Sequence, residues 1–272
     1  MTKSSQAATF SKASKLAQAL LRDSKGSISF VKSLLKLRVP HISYSSISSV
    51  EFCERRYFFE YVAMRRVSPT PEYFVKGKVF HDIAARFYLP NSTRKKLVTK
   101  TVTRRIKNEA SLAHIDNGVK LLVKNAWNGW SVIGTELPFV FDMHSDLPPF
   151  IGIIDLLLKK DETYAVIDHK TGKSFNQLDK HQLVLYLEHV KRTYQPEKCI
   201  AYYDEYRWVN DIERIRKPAF RRTPVKTTKK SYTEALVRAK DAYRKMSKIL
   251  SIEDTNISGD CWKCPYRHIC QS

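Results

Sequence analysis

The sequence predicts an α/β protein in which a bent, mixed sheet packs between helices. Three observations carry that expectation. Helix-period stretches give way to three short apolar runs at 131–141, 150–158 and 163–168, separated by turn-forming residues as neighbouring strands are. A further helix and a further strand follow, an order that suits a layered α/β core. The chain has 272 residues, 43% of them hydrophobic, which is enough for one sizeable domain with additions or for two small ones.

Residues 1–40 are rich in Ser, Ala and Lys, with no acidic residue before Asp23, and read as a basic flexible extension or an organelle-targeting presequence. The remainder, 41–272, reads as folded. In 43–62, Ser residues are placed to cap a helix whose apolar positions include Ile47, Val50, Phe58, Tyr61 and Val62, with Cys53 on it. A second helix is expected at 72–88, with Val75, Val79, Phe80, Ile83 and Phe87 on a broad apolar face and His81 among them. The stretch 94–107 holds seven basic residues and no acid, and opens a helical insertion over about 91–130. After the three strands, a helix is expected at 177–191 and a strand at 198–205. A basic linker with Pro218 and Pro224 then leads to a last helix at 231–250 and a cysteine-rich tail.

The formal charge of +21 points to nucleic acid as partner. An acidic membrane surface attracts the same charge, but no run of about 18 apolar residues offers a span. Five cysteines, three of them in the last twelve residues, argue against a disulfide framework and for metal or cluster ligation in a reducing, intracellular compartment.

Asp155 ends GIID in one expected strand, and Asp168 and Lys170 stand two apart in IDHKTGK at the end of the next. Positions i and i+2 on a strand share a face. If the strands are adjacent, two carboxylates and an ammonium converge, and the carboxylates repel unless a cation joins them. Mg²⁺ or Mn²⁺ suits such hard oxygen donors, and acidifies a bound water while neutralising charge on phosphate. Lys170 is then placed to orient or deprotonate the attacking water, or to stabilise developing charge. Taken singly, each Asp reads as an ordinary turn residue. Glu136, in GTELPFVF, stands on the preceding strand and is left aside as an exposed strand residue.

Together, GIIDLLL and AVIDHKTGK resemble the PD-(D/E)XK nuclease motif, in the version of the RecB and AddB nuclease domains and of the CRISPR-associated iron-sulfur nucleases. GKVFH, with Gly77 and His81, is similar to the upstream G-x-x-x-H of those families, and QLVLY, with Gln182 and Tyr186, to their Q-x-x-x-Y helix. The resemblance implies a restriction-endonuclease-like core. It implies His81, Asp155 and Asp168 as side-chain metal ligands, the backbone carbonyl of His169 as a further ligand, and Lys170 as the catalytic lysine. Gln182 and Tyr186 are expected to touch DNA or brace the site.

Cys261, Cys264 and Cys270 follow a C-x2-C-x5-C spacing, and Cys53 is the candidate fourth thiolate. Four thiolates hold a [4Fe-4S] cluster or a zinc ion, which spacing does not separate. The same resemblance implies the cluster, as a clasp between an early helix and the C-terminal end. Glu54 departs from the Pro usual after the first cysteine of those families. Cys199, in an apolar strand, reads as a core thiol. A single-strand DNA exonuclease of 5′ polarity is what the resemblance implies, acting alone or beside a helicase or another recombination or replication protein. A flap endonuclease of the same fold and a non-catalytic DNA-binding module are the alternatives.

Overall fold

The computed structural model describes residues 3–67, 70–89, 106, 108–175, 178–209 and 217–270. They divide into two compact units, one of Met1–Pro71, Pro138–Ile153 and Lys229–Ser272, the other of Glu72–Leu137 and Ile154–Thr228. The basic stretch 94–107 lies outside the described residues apart from Ile106.

In the first unit, α1 (Lys3–Asp23) and α2 (Ser29–Lys36) occupy the segment expected to be a flexible arm. That expectation is corrected. Composition hid a helical stripe: Phe10, Ala13 and Ala17 recur at helical spacing and are buried, and Ala13 and Ala17 pack with Phe30, Leu34, Val39 and Ile151. Strand β1 (Ile42–Ser43) lies parallel to the start of β3 (Phe150–Lys160). Helix α3 (Tyr44–Phe52) starts on a reciprocal capping box between Ser43 and Ser46. The single helix expected over 43–62 is broken at Cys53, whose backbone is extended (φ −168°, ψ 124°), into α3, α4 (Glu54–Tyr57) and a π turn (Phe58–Val62). Cys53 therefore sits at a helix break. Gly152 in β3 is required sterically, because a Cβ there would stand 2.2 Å from the Phe139 ring. Helix α8 (Lys229–Met246) closes this unit.

The second unit holds the sheet that carries the motifs. Helix α5 (Glu72–Tyr88) matches its expected range, and α6 (Glu109–Lys124) is capped by Asn108, whose side chain accepts from the Ser111 amide. Strand β2 (Ser131–Phe141) pairs with β3, β3 is antiparallel to β4 (Thr163–Gly172), β4 is parallel to β5 (Lys198–Arg207), and β5 is antiparallel to β6 (Ala219–Pro224). The β3–β4 hairpin turns through Asp161 in the left-handed region (φ 51°), which Asp tolerates well. Between β4 and β5 runs α7 (Lys180–Tyr194), the right length for a parallel crossover. Ala165, Val166 and Ile167 on β4 have no exposure, as expected of a strand covered on both faces. Strand β6 was read from sequence as linker; the arginines in it find buried carboxylates on β5, which the sequence alone does not reveal.

His189, on α7, is held down to about 4 by burial, against 6.5 in the unfolded chain. Between those values the unfolded chain takes up a proton that the folded one refuses, so stability falls as pH drops through this window. His189→Gln is expected to remove on the order of 2 kcal/mol of that acid sensitivity between pH 7 and 4.5 in urea unfolding; identical pH profiles would show that this ring protonates in the folded state.

Candidate active site

Every residue of the expected nuclease constellation lies in the second unit. On β4 the side chains alternate. The His169 ring, 2% exposed, packs with Phe80 and Tyr88 of α5 and meets the Tyr206 hydroxyl at 3.3 Å. Asp168 and Lys170 point the other way, to α7. Lys170 Nζ lies 2.6 Å from Asp168 Oδ2 and donates to Gln182 Oε1 at 3.1 Å, while Gln182 Nε2 donates to Asp168 Oδ1 at 2.7 Å and reaches the Tyr186 hydroxyl at 3.3 Å. Gln182 and Tyr186, 9% and 6% exposed, thus brace the site, as their i, i+4 spacing allows. Of the two roles expected of them, these contacts fit the bracing one.

Asp155 stands on β3 just past the last residue paired with β4, where its Oδ2 accepts the His169 amide at 2.7 Å. From α5, His81 Nδ1 approaches Asp155 Oδ2 at 3.5 Å and Glu136 Oε1 at 3.6 Å. Among the described residues, His81, Glu136 and Asp155 are the group whose metal-ligating atoms all lie within 4.8 Å of one another. Glu136, set aside in the sequence, is therefore part of the cluster. Its backbone has φ 46°, a left-handed conformation rare for a side-chain-bearing residue within a strand. The burial alternation of β2 fails over Ile133–Leu137. Such local strain, of order 1–3 kcal/mol, collects at functional sites. The available signal was an acidic residue inside an apolar strand, immediately upstream of the two motif strands.

Electrostatics separate the two aspartates. Burial opposes the charge of Asp155, but the neighbouring His81, and more weakly His169 and Lys170, outweigh it and hold the carboxyl down to about 2. Burial pushes Asp168 up to about 6; Asp155 adds to this and Lys170 opposes it. The second oxygen of Asp168 touches the Lys170 ammonium but lies outside hydrogen-bonding geometry, so a buried carboxylate oxygen keeps acceptor capacity. With a carboxylate–imidazole trio alongside, the donor set fits a hard divalent cation.

The carboxylates further along the sheet are already matched. Asp204, with no exposure, accepts Arg222 Nε at 2.7 Å, Arg222 Nη2 at 2.8 Å and Trp127 Nε1 at 2.9 Å. Glu205 is held by Arg221 in the same bidentate way. The basic run 221–230 thus spends two arginines, Arg221 and Arg222, on internal pairs.

In the first unit, Cys53, Cys261, Cys264 and Cys270 line one cavity of about 60 Å³, walled by Phe52, Phe59 and Tyr266. Burial pushes the Cys264 thiol up, and the nearby Cys53 and Cys270 add to that. Glu54 has its own task here: its carboxylate accepts the Asn256 backbone and side-chain amides at 3.0 and 2.9 Å, tying the Cys53 segment to the tail. Gly259, at φ 83°, allows the tail to run against Phe52, whose carbonyl oxygen would lie 2.5 Å from any Cβ. Cys199 is half-buried on β5 and does not line this cavity.

A mixed sheet with helices against it, and an Asp–Asp–Lys site beside a His–Glu–Asp trio, are features of a metal-dependent phosphodiesterase fold. The chain belongs to the PD-(D/E)XK nuclease superfamily, whose family profile matches residues 41–271. No curated protein matches it. Among solved structures, the one described as "Crystal structure of SSO0001" aligns at 16% identity over 73% of this chain and 95% of that chain, with a TM-score of 0.34.

Glu136→Gln is expected to weaken Mn²⁺ binding in calorimetry by about tenfold or more, the scale of losing a group at a metal site, while leaving the melting temperature of the metal-free protein near its normal value. Unchanged affinity would return Glu136 to the status of an ordinary strand residue.

Proposed function

We propose that the protein is a DNA nuclease that uses Mg²⁺ or Mn²⁺ to degrade single-stranded DNA from an end, with 5′ polarity. The observation that carries the reading is the convergence of His81, Glu136 and Asp155 beside the Asp168–Lys170–Gln182 network. His81, Glu136, Asp155 and Asp168 would hold the cation, with the carbonyl of His169 available on the same strand. When bound, the cation supplies Lewis acidity to the phosphate and a more acidic water. Lys170, fixed by Asp168 and Gln182, orients the attacking water and offsets the negative charge that grows on the phosphate oxygens. Asp155, held ionised, keeps His81 and the His169 amide in place. The end-directed mode rests on the resemblance of GKVFH, IDHKTGK, QLVLY and CWKCPYRHIC to the RecB and AddB iron-sulfur branch.

Digestion of 5′-labelled, 3′-labelled and circular single strands with Mg²⁺ tests this reading. Linear strands are expected to shorten from the 5′ end and circles to survive. Asp155→Ala, Asp168→Ala and Lys170→Ala are each expected to lose about a hundredfold or more in rate while retaining most binding, since binding draws mainly on the basic surface. Cleaved circles would make the enzyme an endonuclease, and a wild type that binds without cutting would make it a binding module.

Cys53, Cys261, Cys264 and Cys270 are proposed to hold a [4Fe-4S] cluster with a structural role. Supporting this are the shared cavity and the C-x2-C-x5-C spacing of the tail, which resembles that of the iron-sulfur branch. Protein purified without oxygen should be brown and contain iron, and each of these four cysteines changed to Ala should lose both. Cys199→Ala should keep them, at roughly 1–2 kcal/mol in stability. A colourless, zinc-bearing protein would contradict the cluster and leave the nuclease reading intact.

A further inference from the structure

Ligands of parallel strands gather at their carboxyl ends, and at that end of β4 and β5 the register pairs Lys170 with Glu205 and Gly172 with Arg207. Strand β6 returns with Arg221 opposite Glu205. Partners across a ladder share a face, as do positions two apart, so Asp168, Lys170, Glu205, Arg207 and Arg221 lie on one face of the sheet. Glu205, 3% exposed, is fully engaged: Arg221 donates Nε to Oε2 at 2.5 Å and Nη2 to Oε1 at 2.8 Å, and the Thr223 hydroxyl donates to Oε2 at 3.2 Å. This fixes the Arg221 guanidinium yet leaves its side chain 43% exposed.

Arg207 is fixed differently, by donating Nε and Nη2 to the Lys217 carbonyl oxygen at 3.3 and 3.0 Å. Its partner there is neutral. Both guanidinium groups lie over one ring, that of Phe175, at 5.0 Å for Arg207 and 4.6 Å for Arg221. Two planar cations thereby share one aromatic ring, although like charges repel. Lys173 follows Gly172 directly in the chain and adds a third positive charge to this end of the sheet. A guanidinium carries five N–H donors in a rigid fork, and phosphate is an acceptor whose geometry that fork matches.

We propose that Arg207 and Arg221, spaced by Phe175, clamp a backbone phosphate of the single-stranded substrate on the catalytic face, beyond the phosphate that is cut. The proposal rests on the nuclease reading and adds a strand-positioning element to it.

The test is binding of a fluorescent oligothymidylate in EDTA, where no cleavage occurs, across a salt series. Arg207→Gln should weaken binding about five- to tenfold at moderate salt and flatten the logarithmic salt slope by about 0.7, one phosphate's share on a single strand. Arg207→Lys, which keeps the charge and loses the planar stack, should restore the slope but not the full affinity. Phe175→Leu should weaken binding with an unchanged melting temperature. Lys124→Gln, which removes the same charge from the exposed end of α6, should leave the slope as it is. An unaltered slope in Arg207→Gln, or an equal change in Lys124→Gln, would overturn the clamp while a wild type that still binds and cuts single strands upholds the enzyme. A wild type that holds no single strand would overturn both.

Discussion

Burying carboxylates at one end of a sheet is the constraint on which the second unit depends. An ionised carboxylate taken out of water must find a cation or several hydrogen bonds, or it gives up its charge. Four acidic residues define that end: Asp168, Asp204 and Glu205 in the carboxyl halves of β4 and β5, and Asp155 midway along the antiparallel β3, next to its last pair with β4. Asp204 and Glu205 are matched by arginines from β6. Asp168 is matched by Lys170 and Gln182, and Asp155 by His81 and the His169 amide. The pairing separates the structural carboxylates, whose oxygens are engaged, from the trio of His81, Glu136 and Asp155 and the second oxygen of Asp168, which still have capacity to accept a cation.

The cysteine region solves a different problem. Residues about 200 apart in sequence meet through polar contacts that need no metal: Glu54 to Asn256, Arg55 to Thr255, and Tyr266 to the Arg65 carbonyl. The thiols line a cavity already shaped by these contacts, so a cluster would lock an arrangement that the chain prepares. Closing so long a loop stabilises mainly by restricting the unfolded chain, as a disulfide does.

Much of this was legible in the sequence. The strands at 131–141, 150–158 and 163–168 were readable as short apolar runs bounded by turn-forming residues, and the helix at 72–88 by its broad apolar face. The candidate residues His81, Asp155, Asp168 and Lys170 were readable because they stand at set positions in the short motifs GKVFH, GIID and IDHKTGK. What escaped depended on partners remote in the chain. Glu136 sits at a left-handed kink in β2, between Gly134 and Pro138, and joins the cluster through His81 and Asp155, which lie on other elements. Strand β6 looked like linker because its arginines are satisfied by β5, and α1 looked disordered because small alanines, weak in any hydrophobicity count, supply its buried face. Cys53 was placed on a helix because the break there carries no Pro or Gly.

The most direct test of the central claim is anomalous diffraction from crystals soaked in Mn²⁺. A peak is expected at about 2.0–2.2 Å from side-chain atoms of His81, Glu136 and Asp155, with Asp168 turned toward it. Manganese seated only at surface carboxylates, with the trio keeping its present hydrogen bonds, would contradict the claim that this end of the sheet is a metal-dependent catalytic centre.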